Sequence, residues 1–297
     1  MNNLPKVSVI IPTDKYPHLI GRAIRSVLNQ TYQNFEIVII DGSPNDETEK
    51  AIQPYLIDSR ICYIRQKEIH NDSLGRNIRS PAKARKEAIK VAKGKYIAIL
   101  DSDDAWCDQR KIEKQVQFLE YHSDYVLCGG GMIIFEENSK TSHIKMLTPE
   151  KDEDIRKSML FFCPFVHGSI MFRKNIYEEV GGYYEKWCYG PPEDWDLCAR
   201  LGIVGKLYNF QDYFLHCTMR SDTAKLFSRG AMKKAFWTFR LMTKYRDDYP
   251  HFYKALLYFS VGCIYSIFLF PFRGILKPVR SKIRKIFNNF IGVSFSK

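Results

Sequence analysis

The part of this 297-residue chain that is richest in possible chemistry is an apolar run followed at once by three carboxylates. Residues 96–100 have the composition of a buried strand, and Asp101-Ser102-Asp103-Asp104 follows them directly. Carboxylates this close repel one another and stay ionised at low cost only beside a cation. Mg²⁺ and Mn²⁺ bind one or two carboxylates together with phosphate oxygens of a substrate. The run therefore predicts a metal-assisted phosphate site, against the alternative of a solvated acidic turn that caps a helix at 108–121.

Three more apolar runs occur earlier in the chain, and two stretches between the runs have apolar side chains at helical spacing. We predict strands at 7–11, 35–40, 61–64 and 96–100, and helices at 19–28 and 82–93. This alternation is typical of a doubly wound nucleotide-binding half, in which ligands bind at the carboxyl ends of the strands. No Gly-x-Gly-x-x-Gly or Walker sequence occurs at these turns, so phosphate binding through a metal is favoured over a dinucleotide or P-loop site.

The second half of the chain is more mixed in pattern. We expect strands at 125–135 and 167–173, with a mobile polar loop at 136–153 between them. The acidic sequence Glu193-Asp194-Trp195-Asp196 is expected to open a helix that runs to about residue 201. Because acidic residues in a first turn suit the helix dipole, a structural role for them competes with a catalytic one.

Composition narrows the class of protein. The eight cysteines are scattered with no Cys-x-x-Cys pair, which favours reduced thiols over a zinc site or a disulfide framework. Eight of the twelve net positive charges lie after Asp248, where no acidic residue occurs, which leaves +4 for residues 1–248. A nucleic-acid-binding protein would place its basic residues across a folded face, so we expect no nucleic-acid partner.

The C-terminus has its own pattern. Residues 255–272 carry no charge, and basic residues alternate with aliphatic ones over 273–285. This favours a helical anchor lying in the plane of a membrane over a true span or a soluble packed helix. We therefore divide the chain into a domain at 1–222, with halves at 1–105 and 106–222, and a membrane-associating helical region at 223–297. The N-terminus has no signal-peptide pattern, so we expect the larger domain in the cytoplasm.

Several segments in order resemble family 2 glycosyltransferases, which have the GT-A fold. They are residues 7–13, residues 22–36, Asp101-Ser102-Asp103-Asp104, Gly181-Gly182-Tyr183 and Glu193-Asp194. The resemblance extends over about residues 6–220. It implies an α/β architecture, with a Rossmann-like nucleotide-binding half and a mixed central sheet.

By this resemblance, one set of residues binds the nucleotide-sugar: Pro12, Thr13, Asp41, Arg85, Asp101 and Ser102. Asp103, with Asp101 and His216, would coordinate Mn²⁺ or Mg²⁺. Asp194 would be the general base, and Glu193 and Trp195 would contact the acceptor. The family commonly has a second acidic residue after the position of Asp41, but this chain has Gly42 there, which leaves the identity of the nucleotide base open.

The resemblance implies an inverting enzyme of the bacterial surface-polysaccharide type. It would move a sugar from a nucleotide-diphospho-sugar, with UDP-sugars expected first, to a hydroxyl of a glycan or a lipid-linked oligosaccharide. A metal would neutralise the leaving diphosphate, and a carboxylate would take the proton of the attacking hydroxyl. Two alternatives stay open: transfer to a polyprenyl phosphate, and a catalytically silent GT-A module that binds a glycan or nucleotide. The expected location is the cytoplasmic face of the cell membrane.

Overall fold

The computed structural model of this chain describes residues 6–14, 16–66, 70–71, 77–78, 81–136, 143–184, 193–219, 231–268 and 294–296. The first part contains β1 (Val7–Thr13), α1 (Pro17–Leu28), β2 (Phe35–Asp41), α2 (Glu47–Ile52), β3 (Ile61–Arg65), β4 (His70–Asn71), β5 (Asn77–Ile78), α3 (Pro81–Val91) and β6 (Tyr96–Ile99). The four predicted strands are confirmed as β1, β2, β3 and β6, and the two predicted helices as α1 and α3.

The second part adds seven strands and helices before residue 180 and five more elements after it. They are β7 (Ala105–Trp106), α4 (Lys111–Tyr121), β8 (Tyr125–Glu136), β9 (His143–Leu147), α5 (Asp152–Ser158), β10 (Met171–Arg173), α6 (Lys174–Glu179), α7 (Glu193–Val204), β11 (Lys206–Met219), α8 (Ala231–Lys244), α9 (Phe252–Phe268) and β12 (Ser294–Ser296). The helix predicted to open at Glu193 is confirmed as α7, which continues to Val204.

One mixed sheet carries all the described strands except β4 and β5, which pair with each other. Strands β3, β2, β1 and β6 are parallel neighbours, and β10 joins β6 to β8 with antiparallel pairing on both sides. Alternate residues of β1 and β2 pack on opposite faces: Val9 and Ile37 with α1, and Ile10 and Val38 with α3. Because both faces are covered, the parallel strands are continuous apolar runs, and their pattern could be predicted without ambiguity.

The prediction of a loop over 136–153 is wrong where the structure describes this stretch. Residues 143–147 form β9, which pairs antiparallel with β8, and α5 begins at Asp152. A strand as short as β9 depends on its neighbour for stability, and this dependence is not visible in its own sequence. The part of the prediction at 137–142 lies outside the described residues.

The predicted strand at 167–173 is shorter than expected. His167–Ser169 forms a 3₁₀ turn, and only Met171–Arg173 pairs in the sheet. The Ser169 hydroxyl is hydrogen-bonded to the Val166 carbonyl at 2.7 Å and also contacts the Gly130 backbone. A side chain that bonds nearby backbone in this way competes with strand pairing, which explains the turn.

The helices after residue 230 pack on the body of the protein through α7. Leu241, Met242, Tyr245 and Tyr249 are buried in the same core cluster as residues of α7. Among the described residues, no helix has the length and apolar character that crossing a membrane requires. The basic stretch at 273–285, on which the prediction of an in-plane anchor partly rests, lies outside the described residues.

Candidate active site

A cleft opens at the carboxyl ends of β1 and β6, beside the end of β2. It is lined by most of the residues predicted to bind the nucleotide-sugar, together with Asp103, and we call it the donor cleft: Pro12, Thr13, Arg85, Asp101, Ser102 and Asp103. Thr13 is in register with Asp41 across the parallel pair β1–β2. The backbone topology therefore delivers residues from three separate strand ends to one place, as expected for an open α/β sheet.

Asp41 lies beside this cleft with its carboxylate fully buried. One oxygen accepts a hydrogen bond from the Ser43 N–H at 2.7 Å, and the other accepts one from the Tyr63 hydroxyl at 2.8 Å. Burial, reinforced by the hydrogen bond to Asp41, raises the pKa of Tyr63 to about 12. Asp41 is thus held rigidly where the chain turns from β2 towards Gly42, which lines the donor cleft.

Arg85 connects the two sides of the cleft. It projects from α3, is almost fully buried, and donates to Asp101 Oδ1 at 2.7 Å and to Glu193 Oε1 at 3.2 Å. Burial opposes the ionisation of Asp101, but the charge of Arg85 outweighs it and holds the pKa of Asp101 below its usual range. Burial also raises the pKa of Glu193, with Arg85 opposing and Asp194 adding to the rise. The Arg85 guanidinium therefore binds the carboxylate of Asp101 in the donor cleft and that of Glu193 on α7.

We use the name acid loop for Asp101-Ser102-Asp103-Asp104. A backbone hydrogen bond from the Asp104 N–H to the Asp101 carbonyl, at 3.1 Å, closes this loop. Arg22 of α1 donates to the Asp103 carbonyl and, at 3.1 Å, to Thr218 Oγ1 of β11. Burial and the charges of Asp101 and Asp103 raise the pKa of Asp104 to about 8. The three carboxylates are thus too close and too buried for all of them to ionise readily near pH 7, and a cation beside them would favour their ionised forms.

The three predicted metal ligands do not form a closed set. Among the residues that the structure describes, no three His, Cys, Asp or Glu side chains are grouped as ligands of one ion. His216 of β11 is opposite Ala105 of β7, with its ring 4.9 Å from that of Phe135. A metal held partly by a diphosphate needs only one or two protein carboxylates, and the closely spaced carboxylates of the acid loop suit such an ion. The residues therefore fit a Mg²⁺ or Mn²⁺ ion completed by substrate oxygens, and the choice among the three ligands stays a prediction.

The residues predicted to contact the acceptor lie in the first turn of α7. Asp194 Oδ1 accepts a hydrogen bond from the Trp195 N–H at 2.8 Å. The Trp195 side chain is only 7% exposed, and its indole N–H donates to the Met159 carbonyl at 2.7 Å. Most of this ring therefore packs in the core, and its predicted contact with the acceptor would involve a small part of its surface.

A buried pair behind Arg85 was not predicted as part of the site. His167 Nε2 is 2.8 Å from the Tyr183 hydroxyl, and the Arg85 guanidinium lies 5.9 Å from the centre of the Tyr183 ring. Burial and the charge of Arg85 lower the pKa of His167 to about 4, so this imidazole is neutral near pH 7. Tyr183 belongs to the segment Gly181-Gly182-Tyr183 that resembles the family, so the sequence indicated that it could lie near the site. His167 lies in the predicted strand at 167–173, which could border the acceptor site, but a packing role was favoured for it.

Comparison with known proteins defines the family. The profile described as Glycosyl transferase family 2 matches residues 8–181, a segment that contains the acid loop and Arg85 and ends before α7. UDP-Glc:alpha-D-GlcNAc-diphosphoundecaprenol beta-1,3-glucosyltransferase WfaP of Escherichia coli is 40% identical over 224 residues, or 74% of this chain and 81% of that protein. The O-antigen biosynthesis glycosyltransferase WbnJ of Escherichia coli is 30% identical over 268 residues, or 86% and 98%. The chain belongs to glycosyltransferase family 2 and is a glycosyltransferase.

Solved structures support the fold assignment. S. aureus TarS 1-349 in complex with UDP-GlcNAc matches with a TM-score of 0.54 at 17% identity, over 73% of this chain and 59% of that one. The mannosyltransferase PcManGT from Pyrobaculum calidifontis, in complex with GDP-Man and Mn²⁺, matches with a TM-score of 0.53 at 17% identity, over 73% and 57%. The mixed α/β fold is therefore that of GT-A glycosyltransferases, and this chain spans somewhat under two thirds of either structure. The predicted family, enzyme class and fold class of the main domain are confirmed.

Proposed function

We propose that this glycosyltransferase moves one sugar from a nucleotide-diphospho-sugar to a hydroxyl of a glycan or lipid-linked oligosaccharide, with inversion, in the synthesis of a cell-surface polysaccharide. The observation that carries the proposal is the pairing of Arg85 with Asp101 and Glu193, because it joins the donor cleft to the first turn of α7. Donor and acceptor groups would then meet at a point between the acid loop and Asp194.

On the donor side, the strand ends hold the nucleotide and the acid loop holds the diphosphate. Asp41 is fixed by Ser43 and Tyr63, and this rigidity suits a group that recognises a nucleoside. Asp103, with Asp101 or His216 beside it, would hold Mg²⁺ or Mn²⁺ against the phosphates. When bound, such an ion supplies positive charge that stabilises the leaving diphosphate.

On the acceptor side, Asp194 is the proposed general base. Its carboxylate would take the proton of the acceptor hydroxyl as that oxygen attacks the anomeric carbon. The bond from this carbon to the diphosphate breaks on the opposite face as the new bond forms. Since a single displacement inverts the carbon, an α-linked donor gives a β-linked product. Glu193, held by Arg85, would orient the acceptor hydroxyl, and Trp195 would border it.

The names of relatives support the choice of substrates. WfaP is named for a UDP-glucose donor and an acceptor linked to diphosphoundecaprenol, and TarS is solved with UDP-GlcNAc. They favour a UDP-sugar and a lipid-linked acceptor for this chain, and the Mn²⁺ in PcManGT favours a divalent metal. We assign the transferase domain to residues 1–222, with donor and acceptor halves at 1–105 and 106–222, working at the cytoplasmic face of the cell membrane.

A product analysis tests this function. The full chain would be incubated with Mn²⁺, a panel of α-linked UDP-, dTDP- and GDP-sugars, and a synthetic sugar linked to a lipid diphosphate. We expect transfer from one donor, with a product whose anomeric proton shows the β configuration by NMR. An α-linked product would overturn the single displacement. Transfer to a polyprenyl phosphate alone would replace the hydroxyl acceptor, and binding without transfer would favour the silent module.

A further inference from the structure

Helix α9 is apolar on two opposite sides. Phe252, Ala255, Leu256 and Phe259 face the core, where Ala255 is fully buried. On the other side, every fourth residue is a large apolar side chain that remains exposed: Tyr253 at 82%, Leu257 at 67% and Val261 at 47%. A helix on the surface of a water-soluble domain normally turns a polar face outward. The exposed apolar stripe of α9 therefore indicates a surface that binds a partner.

Helix α8 packs beside α9 and exposes further large apolar side chains. Phe236 is 55% exposed and Phe239 is 41% exposed, and the Phe239 ring lies 6.2 Å from that of Phe259 on α9. Arg240 is exposed on α8 beside the Phe236 ring, with its guanidinium 5.8 Å from the ring centre. We call the five exposed side chains together the outer face: Phe236, Phe239, Tyr253, Leu257 and Val261.

The net charge of this part of the chain distinguishes between possible partners. After Asp248 the chain has eight Lys and Arg residues and no acidic residue, and Arg240 and Lys254 are exposed on the two helices themselves. A second copy of this chain would bring like charges together. An anionic lipid surface offers opposite charge and an apolar layer beneath it, which is the combination that an in-plane amphipathic helix binds.

We propose that the outer face docks on an anionic lipid surface, with Tyr253, Leu257 and Val261 entering the boundary between headgroups and acyl chains. The inference rests on the proposed function, because a lipid-linked acceptor would be presented from that surface. It adds to that function the surface by which the enzyme meets the membrane.

Buried polar contacts fix this surface relative to the acceptor side. Asp196 of α7 is fully buried and accepts hydrogen bonds from Lys244 Nζ and the Tyr245 hydroxyl, each at 2.7 Å. Arg200 completes its neutralisation with an ion pair at 2.8 Å. The end of α8 is thereby bound to the helix whose first turn carries Glu193 and Asp194. Docking of the outer face would therefore hold the acceptor side at a constant orientation to the membrane.

Vesicle binding by the full chain tests the proposal. Wild type, Leu257→Glu and Tyr253→Glu would be sedimented with phosphatidylcholine vesicles that contain phosphatidylglycerol, and with phosphatidylcholine alone. We expect wild type to bind the anionic vesicles, and each substitution to lower the partition coefficient by roughly tenfold or more, since one large apolar side chain no longer leaves water. Ile57→Glu is the matched control, because Ile57 is 93% exposed but lies outside the outer face, and it should bind as wild type does.

Three results would overturn the proposal. The first is that wild type does not bind the anionic vesicles. The second is that Leu257→Glu and Tyr253→Glu bind them as well as wild type does. The third is that the protein forms a dimer in solution that these two substitutions dissociate. Release of nucleotide from the donor would be measured on the same preparations. If nucleotide is released but no vesicles are bound, only the proposed lipid contact of the outer face is wrong. If vesicles are bound but no nucleotide is released, the result counts against the proposed function.

Discussion

The Arg85 guanidinium binds a carboxylate on each side of the cleft, and the pKa values of these two acids are shifted in opposite directions. The ion pair holds the pKa of Asp101 below its usual range, although burial opposes this, whereas burial raises the pKa of Glu193 despite the same arginine. Acids that differ in this way can hold a positively charged group and a neutral hydroxyl within one site. Asp194, next to Glu193, is the residue on which the proposed chemistry depends.

We predict that Asp194→Asn lowers kcat for transfer by roughly 10²- to 10⁴-fold, the usual contribution of a general base, and leaves donor binding unchanged. The amide keeps the size of the side chain but cannot take a proton near neutral pH. Steady-state transfer kinetics, with donor affinity measured separately, check this prediction.

The control for Asp194→Asn is Asp154→Asn. Asp154 also lies in the first turn of a helix, α5, but its side chain is exposed, pairs with Lys157 and does not line the donor cleft. If the acidic first turn of α7 served only the helix dipole, both substitutions would cost a similar, small amount of stability, about 0.3–1 kcal/mol, with little loss of kcat. That result would remove Asp194 from the mechanism.

At the scale of the elements, helix α4 contains a lysine in the protein interior. Lys111 is fully buried, with Nζ 2.7 Å from Gln115 Oε1 and 3.8 Å from the centre of the Trp106 ring. Burial lowers the pKa of Lys111 to about 7. Trp106 belongs to β7, the short strand that follows the acid loop and pairs with β11 next to His216. Because Lys111 packs on Trp106, it supports β7 in this position.

We predict that the stability contributed at this position rises with pH above about 7. The unfolded chain keeps the Lys111 proton up to about pH 10.4, whereas the folded chain loses it near pH 7, so the unfolded state binds more protons between these values. Raising the pH through this window therefore favours the folded state, by at most about 1.4 kcal/mol per pH unit. In Lys111→Met the free energy of unfolding lacks this dependence on pH. The variant should therefore be more stable than wild type at pH 7, and the difference in unfolding free energy should shrink towards pH 9.

Denaturant unfolding of both proteins at several pH values between 7 and 9 measures the difference. Lys50→Met, at a position 76% exposed on α2, is the control and should show no such trend. A difference between wild type and Lys111→Met that stays constant over this range would show that the lysine keeps its charge in the fold.

The elements that were predicted well are those whose own residues determine them. β1, β2 and β6 are covered on both faces, so their apolar runs identify them directly. β9 and the turn at His167–Ser169 depend on β8 and on the Ser169 side chain, which are contacts distant in sequence. Gly94 follows α3 but does not have the positive φ of a glycine that caps a helix. Its role is steric, because a Cβ there would lie 2.5 Å from the Ser8 backbone nitrogen.

At the scale of the whole molecule, the site is assembled from segments that are far apart in the chain. Arg22 of α1 connects the acid loop to Thr218 of β11, and Arg85 of α3 connects it to α7. The sequence identified the types of residue and their order, because strand ends and acidic turns are local features. It could not identify which cation neutralises which carboxylate, because that depends on the packing of the sheet.

The C-terminal helices show the same limit. Their composition predicted an apolar segment with basic flanks, but not that Leu241, Tyr245 and Tyr249 would be buried against α7. The transferase domain and these helices share one core cluster in the described residues. The proposed lipid contact would therefore be made by a surface of the folded body. It would orient the predicted acceptor side as well as attach the protein to the membrane.

Metal-dependent release of nucleotide from a donor sugar, compared between wild type and Asp103→Asn, is the most direct test of the central claim that the acid loop and Arg85 form a donor site. Asp212→Asn, at an exposed ion pair with Lys114, serves as the control. We predict slow release from one nucleotide-sugar in wild type with Mn²⁺ or Mg²⁺, loss of this release in Asp103→Asn, and normal release in Asp212→Asn. Failure of the wild-type protein to bind or cleave any donor, with or without metal, would contradict the account.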